Sequence, residues 1–265
     1  MKQPLDPTVI ALLTDYGTSD HYAGTLKGVI LSLCPRAQIV DITHAIEPQN
    51  RIHGAFCLKQ SWSYFPTGTI FVCAVDPGVG TMRKILCAQT PRAFFIGPDN
   101  GILEPALSDQ KECPLVSITQ AKYFYQNPPS ATFHGRDIMA SAAGHLALTS
   151  GSVFHQLGPS LKTLQKLACP KPLVSRTRIR GVILFFDHFG NAVTNIQKKD
   201  QPETFWNQAK VKAGKKSLGK LQKVYGTSRK ELFALFNSSG HLEIASPCGS
   251  AKNYLSKTDP VFAEI

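Results

Sequence analysis

Short apolar runs alternate with amphipathic segments along the first part of the chain. Three apolar runs predict strands, at about 8–13, 39–43 and 69–74. Two segments with apolar residues at helical spacing predict helices, at about 20–33 and 49–64. A cap for the first helix is expected among residues 18–20, and Pro66 stops the second helix. This β-α-β-α-β order predicts an N-terminal α/β domain with a mostly parallel sheet.

The pattern changes near the middle of the chain. Strands at about 85–89 and 93–96 and a helix at about 136–149 complete the first part. A segment rich in Pro and Lys follows, and beyond Arg178 only short β-type runs separated by turn residues remain. These runs lie at 181–186, 192–196, 231–236 and 241–245. We therefore predict an N-terminal α/β domain over 1–168 and a small all-β domain, sandwich or barrel, over 169–265.

Cysteine usage and hydropathy narrow the class of protein. The seven cysteines are odd in number and no two have CxxC spacing, which favours a reducing cytoplasm and argues against a structural zinc site. No apolar run reaches 18 residues, and no long apolar segment precedes the first strand. We expect a cytoplasmic protein with no membrane partner and no signal peptide.

The formal net charge of +11 raises the possibility of nucleic-acid binding. Many of the basic residues fall between Lys198 and Lys230, where glycines also recur and aromatic residues are sparse. Lysines of this kind are typical of exposed strand edges, where they oppose aggregation. We expect no nucleic-acid partner, although an RNA-binding module remains an alternative that a steep salt dependence would reveal.

Two predicted strands each end in a carboxylate followed by a glycine-bearing turn. The strand at 69–74 leads into the loop Val75–Thr81 (VDPGVGT), and the first strand leads into Thr14–Gly17 (TDYG). Ligands of open α/β sheets bind beyond the carboxyl ends of strands. Turn chemistry explains either loop alone. Together they suggest one pocket that contains Asp15 and Asp76.

Further polar residues stand beside these loops. His134 opens the predicted helix at 136–149, where it is either a functional group or a structural cap, and Arg83 is either functional or a surface residue. The segment 97–101 (GPDNG) is explained as a turn. In 187–191 (DHFGN), hairpin chemistry explains Gly190 and Asn191 but not Phe189, which could stack on a ring.

Taken together, five motifs closely resemble the S-adenosyl-L-methionine hydroxide adenosyltransferase family, which is related to fluorinases and chlorinases. The motifs, in the order of the family, are Leu13–Gly17 with Asp20, Asp76–Thr81, Gly97–Gly101, Phe133–Asp137 and Asp187–Asn191. The resemblance covers nearly the whole chain. It implies an N-terminal α/β domain, a smaller C-terminal β-barrel, and a homotrimer whose sites lie between neighbouring subunits.

The resemblance also implies residue roles. Asp76, Arg83 and His134 match the family's water-activating triad. Asp15 would accept hydrogen bonds from the ribose hydroxyls, and Asp20 would face the methionine ammonium. The remaining substrate contacts implied are the adenine neighbours Phe189, Asn191 and the backbone near Cys248, and the methionine-carboxylate neighbours Ser238 and Ser239. The halogenating relatives place Arg at the position of Ser239, Tyr at that of Asp76 and Ser at that of Gly135.

The implied activity is hydrolysis of S-adenosyl-L-methionine to adenosine and L-methionine, with no cofactor and no metal. A sulfonium is already a good leaving group, so the missing element is an activated water in line with ribose C5′. Two other interpretations stay open. The carboxylates and His134 could bind a metal for phosphoester hydrolysis, or the protein could hold S-adenosylmethionine as a sensor without turnover.

Overall fold

In the computed structural model, which describes residues 8–227, 231–247 and 249–265, the chain forms two units. The first contains the described residues up to Ala168, and the second contains those from Cys169 to Ile265. That each unit is an independent domain stays a prediction. No helix among the described residues is both long and apolar enough to cross a membrane.

A seven-stranded sheet organises the first unit. Its strands are β1 (Val9–Thr14), β2 (Gln38–Thr43), β3 (Thr69–Ala74), β4 (Ile85–Gln89), β5 (Ala93–Pro98), β6 (Leu115–Ser117) and β7 (Ser160–Leu161). Their spatial order is β2-β1-β3-β5-β4-β6-β7. Strands β2, β1, β3 and β5 run parallel, as expected. The remaining pairings are antiparallel. For β4 and β5, a connection as short as residues 90–92 cannot make a parallel crossover.

Helices cover both faces of this sheet. They are α1 (Tyr22–Leu33), α2 (Arg51–Ser61), α3 (Glu104–Leu107) and α4 (Ser141–Leu148), with a π-helical segment at Gly135–Ala140 directly before α4. Side chains of β1 alternate between two apolar clusters: Ile10 and Leu12 pack with α1 and α4, whereas Ala11 and Leu13 pack with α2 and α3. The two-residue period of the strand therefore supplies both cores.

The ends of the helices correct one expectation. Helix α1 follows His21 and has no side-chain cap, so the predicted cap within 18–20 is wrong. Helix α2 is capped by Asn50, whose side chain accepts a hydrogen bond from the backbone N–H of His53. Short 3₁₀ turns lie at Trp62–Tyr64, Ala121–Tyr123, Phe154–Gln156, Lys198–Asp200, Tyr225–Thr227 and Ala251–Asn253.

The second unit is an antiparallel β structure. Its strands are β8 (Leu173–Val174), β9 (Arg178–Phe186), β10 (Ala192–Gln197), β11 (Lys210–Ala213), β12 (Lys216–Lys220), β13 (Phe233–Phe236), β14 (His241–Ala245) and β15 (Pro260–Glu264). One short helix, α5, spans Glu203–Trp206. The strand path is β12-β11-β15-β9-β10-β14-β13, with β8 beside β9. Its two ends, β12 and β13, approach each other, so the sheet nearly closes into a barrel around an apolar core.

Candidate active site

Asp76, Arg83 and His134 form one hydrogen-bonded group in the first unit. Arg83 Nε donates to both carboxylate oxygens of Asp76 at 2.7 Å, and Arg83 Nη2 contacts the same carboxylate. Arg83 Nη2 also lies 2.9 Å from His134 Nδ1. The side chains of Asp76 and Arg83 are only 7% and 9% exposed, so this charge pair is shielded from water. The structure thus brings together all three members of the predicted triad.

A tight loop after β3 returns the chain so that Arg83 can reach Asp76. The Thr81 hydroxyl and backbone N–H both donate to the carbonyl of Gly78. Gly80 has φ +80°, and a Cβ there would overlap the carbonyl of Ala131. Only glycine therefore suits this conformation and this close approach.

The turn at 97–101 contacts the loop that carries Asp76 and holds it in place. The buried Asn100 donates from its side-chain amide to the carbonyl of Val75, directly before Asp76, at 3.0 Å. Asp99 accepts from the backbone N–H of Gln165 at 2.7 Å. These contacts agree with the structural interpretation of the turn, and they show that Asn100 positions the loop that carries Asp76.

The hydrogen bond from Arg83 determines the protonation of His134. A guanidinium has only donors, so Nδ1 of His134 must offer a lone pair, and the proton of the neutral ring must lie on Nε2. Burial, and then the charge of Arg83, lower the pKa of His134 below its ordinary value. His134 is therefore neutral near pH 7, with an N–H donor on the side away from Arg83.

Asp15 lies in a cavity with two members of the triad. A cavity of about 210 Å³ is lined by Asp15, Asp76 and His134, and also by Tyr16 and Gln49. Asp15 Oδ2 accepts from the backbone N–H of Gln49 at 2.8 Å, and Gln49 adopts a φ of +65° to make this contact. Burial is the main cause that raises the pKa of Asp15, and the charge of Asp76 adds to it.

Tyr16 restricts the same cavity. A Cβ at Gly135 would overlap the Tyr16 hydroxyl, so a side chain at position 135 requires Tyr16 to move. Burial raises the pKa of Tyr16 far above its ordinary value, and the nearby carboxylates act in the same direction. Tyr16 therefore stays a neutral phenol in this cavity. Sequence reasoning missed Tyr16, which lies within the Leu13–Gly17 motif, and Gln49, which lies in none of the motifs.

A buried histidine fixes the loop that carries Asp15. His44 Nδ1 lies 2.8 Å from the hydroxyl of the buried Thr14, and His44 Nε2 lies 3.1 Å from Asp41 Oδ1. The backbone carbonyl of His44 accepts from Gly17 N–H at 2.8 Å. Sequence reasoning missed this support as well, because it joins residues 30 positions apart.

The second unit contains a larger cavity of about 690 Å³. Phe189, Asn191 and Asp187 line it, together with Tyr225 and Ser246. Phe189 is 76% exposed, so its ring is accessible for stacking, whereas Asn191 is buried. Both predicted adenine neighbours in the described residues therefore lie in one cavity of a size usual for small ligands.

The other predicted substrate contacts lie outside both cavities or outside the described residues. Asp20 and Ser238 are exposed, and Ser239 is half-buried. The Ser239 hydroxyl and N–H both donate to Asn237 Oδ1, at 2.7 and 3.1 Å. Cys248 is not among the described residues. The roles of these four residues stay predictions.

Two further residues of the 133–137 motif have structural roles. Asp137 is fully buried, pairs with Arg136 and accepts from the backbone N–H of Ser130 at 2.7 Å. Arg136 also lies over the ring of Phe133. No group of three or more His, Cys, Asp or Glu side chains with metal-binding geometry occurs in the described part of the chain.

Comparisons with known proteins agree with the motifs. The family model of the SAM hydroxide adenosyltransferase N-terminal domain matches residues 10–158, and that of the C-terminal domain matches residues 181–258. A Methanocaldococcus jannaschii protein named (R)-S-adenosyl-L-methionine hydrolase is 30% identical over 258 residues, which cover 93% of this chain and 91% of the relative. A Thermus thermophilus protein of the same name is 36% identical, over 71% of this chain and 74% of the relative.

More distant relatives and solved structures extend this picture. A fluorinase from an Actinoplanes species is 29% identical over 72% of each chain. The crystal structure of an uncharacterized conserved protein from Thermotoga maritima matches with a TM-score of 0.86 and 33% identity. That match covers 97% of this chain and 100% of the other.

Proposed function

Because the chain belongs to the S-adenosyl-L-methionine hydroxide adenosyltransferase family, we propose that it hydrolyses S-adenosyl-L-methionine to adenosine and L-methionine. The observation that carries this proposal is the contact of Arg83 with both Asp76 and His134, beside a cavity that Asp15 also lines. The odd number of cysteines supports a cytoplasmic location.

In the proposed mechanism, Asp76 accepts the proton of the attacking water. Arg83 occupies Nδ1 of His134, and Nε2 already carries a proton, so the neutral ring has no free lone pair for a base. Among the described residues, the Asp76 carboxylate accepts hydrogen bonds from the Arg83 side chain alone and retains further lone pairs. His134 would donate from Nε2–H to the water oxygen and orient it, while Arg83 holds the other two groups in place. General-base assistance of this kind contributes about 10²–10⁴-fold.

The substrate's charge favours this reaction. Attack of a hydroxide-like oxygen on ribose C5′ forms the C–O bond while the C–S bond breaks, and the electron pair of that bond neutralises the sulfonium. The transition state therefore loses charge, which a site with little water favours. The sulfide leaves as neutral methionine sulfur, so no acid and no metal is needed there. Activity should accordingly survive EDTA, and a full loss restored by one divalent ion would support the metal alternative.

Recognition of the substrate is divided between the two cavities in this proposal. Asp15 would accept hydrogen bonds from the ribose hydroxyls, since a carboxylate has several acceptor sites and Gln49 occupies one of them, on Oδ2. Phe189 would stack on adenine, and Asn191 would hydrogen-bond its edge. Asp20 would face the methionine ammonium, Ser238 and Ser239 its carboxylate, and the backbone near Cys248 the adenine.

We propose that neighbouring subunits of a homotrimer contribute the two cavities of each site, as the family resemblance implies. Co-expression of Asp76→Asn with Asn191→Leu tests this, because each variant damages only one cavity. With random assembly of equal amounts, about a quarter of all sites would receive both intact cavities and regain activity. A mixture as inactive as the separate variants would show that each site is built within one subunit.

Chromatography of the products tests the activity itself. Reaction of the protein with S-adenosylmethionine in ¹⁸O-water should release adenosine with the label in its 5′-hydroxyl, since water attacks carbon. Binding of S-adenosylmethionine without adenosine release under varied pH would instead establish a sensor.

A further inference from the structure

The cavity of the second unit contains a carboxylate that the proposed reaction does not use. Asp187 lies at the end of β9, and its two oxygens accept from the backbone N–H and the side-chain amide of Asn191, at 2.8 and 3.1 Å. Both residues line the cavity. Backbone hydrogen bonds between the same two residues and from Gly190 close the turn.

This contact determines which way the Asn191 amide faces. An ionised carboxylate only accepts hydrogen bonds, so the NH₂ group of Asn191 must face Asp187 and its oxygen must face the other way. Within the described residues, that oxygen accepts no hydrogen bond. Because Asn191 lines the cavity, this oxygen is the acceptor that its side chain can offer to a ligand there.

A second pair in the same cavity follows the same rule. The Tyr225 hydroxyl donates to Glu243 Oε1 at 2.8 Å, which leaves the phenol oxygen as an acceptor. Asn237 donates to Glu243 Oε2 at 3.1 Å, so the buried Glu243 also receives donors at both oxygens. One N–H of the Asn191 amide and the hydroxyl of Tyr225, both in the cavity lining, thus donate to carboxylates. The Ser246 hydroxyl rotates to suit either kind of partner, so it does not change this balance.

We infer that Asp187 is a positioning residue that makes the site select a 6-aminopurine over a 6-oxopurine. It does so by presenting the Asn191 oxygen, which accepts from an exocyclic amine and opposes an exocyclic carbonyl. This inference rests on the proposed function, because it takes the cavity as the place of the substrate's base. The selectivity arises from the direction of one amide and not from the size of the cavity.

The Asp187→Asn variant separates this role from a merely structural one. The backbone N–H of Asn191 would hold the carbonyl oxygen of the substituted side chain, so the NH₂ group introduced at position 187 would face the Asn191 side chain. The Asn191 amide would then turn over and present its own NH₂ group to the cavity. The preference should shift toward 6-oxopurines, whereas simple damage would weaken both classes equally.

The experiment measures binding of adenosine and inosine to the full chain by calorimetry, and turnover of S-adenosylmethionine alongside. The wild type should bind adenosine at least about tenfold more tightly than inosine, and Asp187→Asn should reduce this ratio by at least about tenfold. Asp259→Asn is the matched control, because Asp259 accepts a backbone hydrogen bond outside the cavity. Its ratio should equal that of the wild type.

A measurement on the wild type alone tests the inference even if the Asp187→Asn variant does not fold. Purine riboside lacks the 6-amino group and should bind at least about tenfold less tightly than adenosine. Equal binding of adenosine and inosine, or an unchanged ratio in a folded Asp187→Asn, would overturn the inference. If adenosine is still released in those cases, the proposed function stands; failure of both binding and release would overturn both.

Discussion

The two cavities of this protein use carboxylates in opposite ways. In the first unit, the Asp76 carboxylate accepts hydrogen bonds from Arg83. It lines a small cavity of about 210 Å³ together with a second carboxylate, Asp15. In the second unit, Asp187 and Glu243 take up neutral donors around a cavity of about 690 Å³. In the proposed mechanism, a carboxylate with a free lone pair accepts the proton of the attacking water, whereas the carboxylates that accept from neutral neighbours orient the groups that would recognise the substrate.

The largest effect is expected from substitutions in the triad. Asp76→Asn removes the proposed proton acceptor, and His134→Ala removes the donor that orients the water. Turnover should fall by about 10²–10⁴-fold, while affinity for S-adenosylmethionine by calorimetry stays within about tenfold. Asp109→Asn, an exposed carboxylate paired with Lys59, is the control and should leave both quantities unchanged. A loss confined to affinity would mean that the first cavity binds and does not catalyse.

Asp15→Ala should produce a smaller effect of a different kind. Hydrogen bonds to a charged group contribute about 1.5–3 kcal/mol, so affinity for S-adenosylmethionine should fall by about 10–100-fold. Calorimetry measures this directly, and saturating substrate should restore most of the turnover. Unchanged affinity with reduced turnover would move Asp15 into the catalytic group.

The pH dependence of the activity should follow the protonation of His134. Its pKa is lowered by burial and by Arg83, so activity should be constant near neutrality and fall only when the pH drops below the ordinary histidine value of about 6.5. Protonation would place a proton on Nδ1 and break the contact with Arg83. Arg83→Gln removes one of the lowering causes, so the pKa of His134 should rise, as titration of its ring by NMR would show.

His145 provides the internal control for that titration. Burial alone lowers its pKa, and it lies on α4 against Tyr123. Its titration should be the same with and without Arg83. A fall in the His134 pKa, or equal shifts of both rings, would contradict the assigned contact.

The smallest effect is expected from halide ions, which should leave the reaction product unchanged. The resemblance places a tyrosine hydroxyl of the halogenating relatives at Asp76, and an ionised carboxylate repels an anion by about 4 kcal/mol at about 4 Å and an effective dielectric of 20. Molar chloride or fluoride should therefore yield adenosine and no 5′-halo-5′-deoxyadenosine by mass spectrometry. A halogenated nucleoside as the main product would overturn the role of Asp76.

Gly135→Ser sharpens the same comparison. The serine found in those relatives would overlap the Tyr16 hydroxyl, so this single change should disturb the cavity without producing a halogenase. Addition of Tyr16→Phe removes the overlapping oxygen and should restore the lost affinity for S-adenosylmethionine. If Gly135→Ser binds as tightly as the wild type, Tyr16 does not restrict the cavity.

Much of the fold is visible in local patterns. The predicted bounds of strands β1, β3 and β4 agree with the structure within one residue, because a short apolar run between turn residues is a local signal. The antiparallel half of the first sheet is not visible in this way, since strand direction depends on which neighbour a strand finds. The predicted α-helix at 136–149 contains a π-helical segment instead of a regular first turn, which periodicity alone does not distinguish.

The sequence by itself determined which residue types stand at the strand ends and, through the motifs, the family and the triad of Asp76, Arg83 and His134. Only the tertiary structure decided how those groups hold their protons. Arg83 and His134 lie 51 positions apart, and their contact assigns the proton to Nε2. The direction of the Asn191 amide likewise follows from its contact with Asp187. Donor and acceptor directions depend on partners in space, which no local pattern of residues encodes.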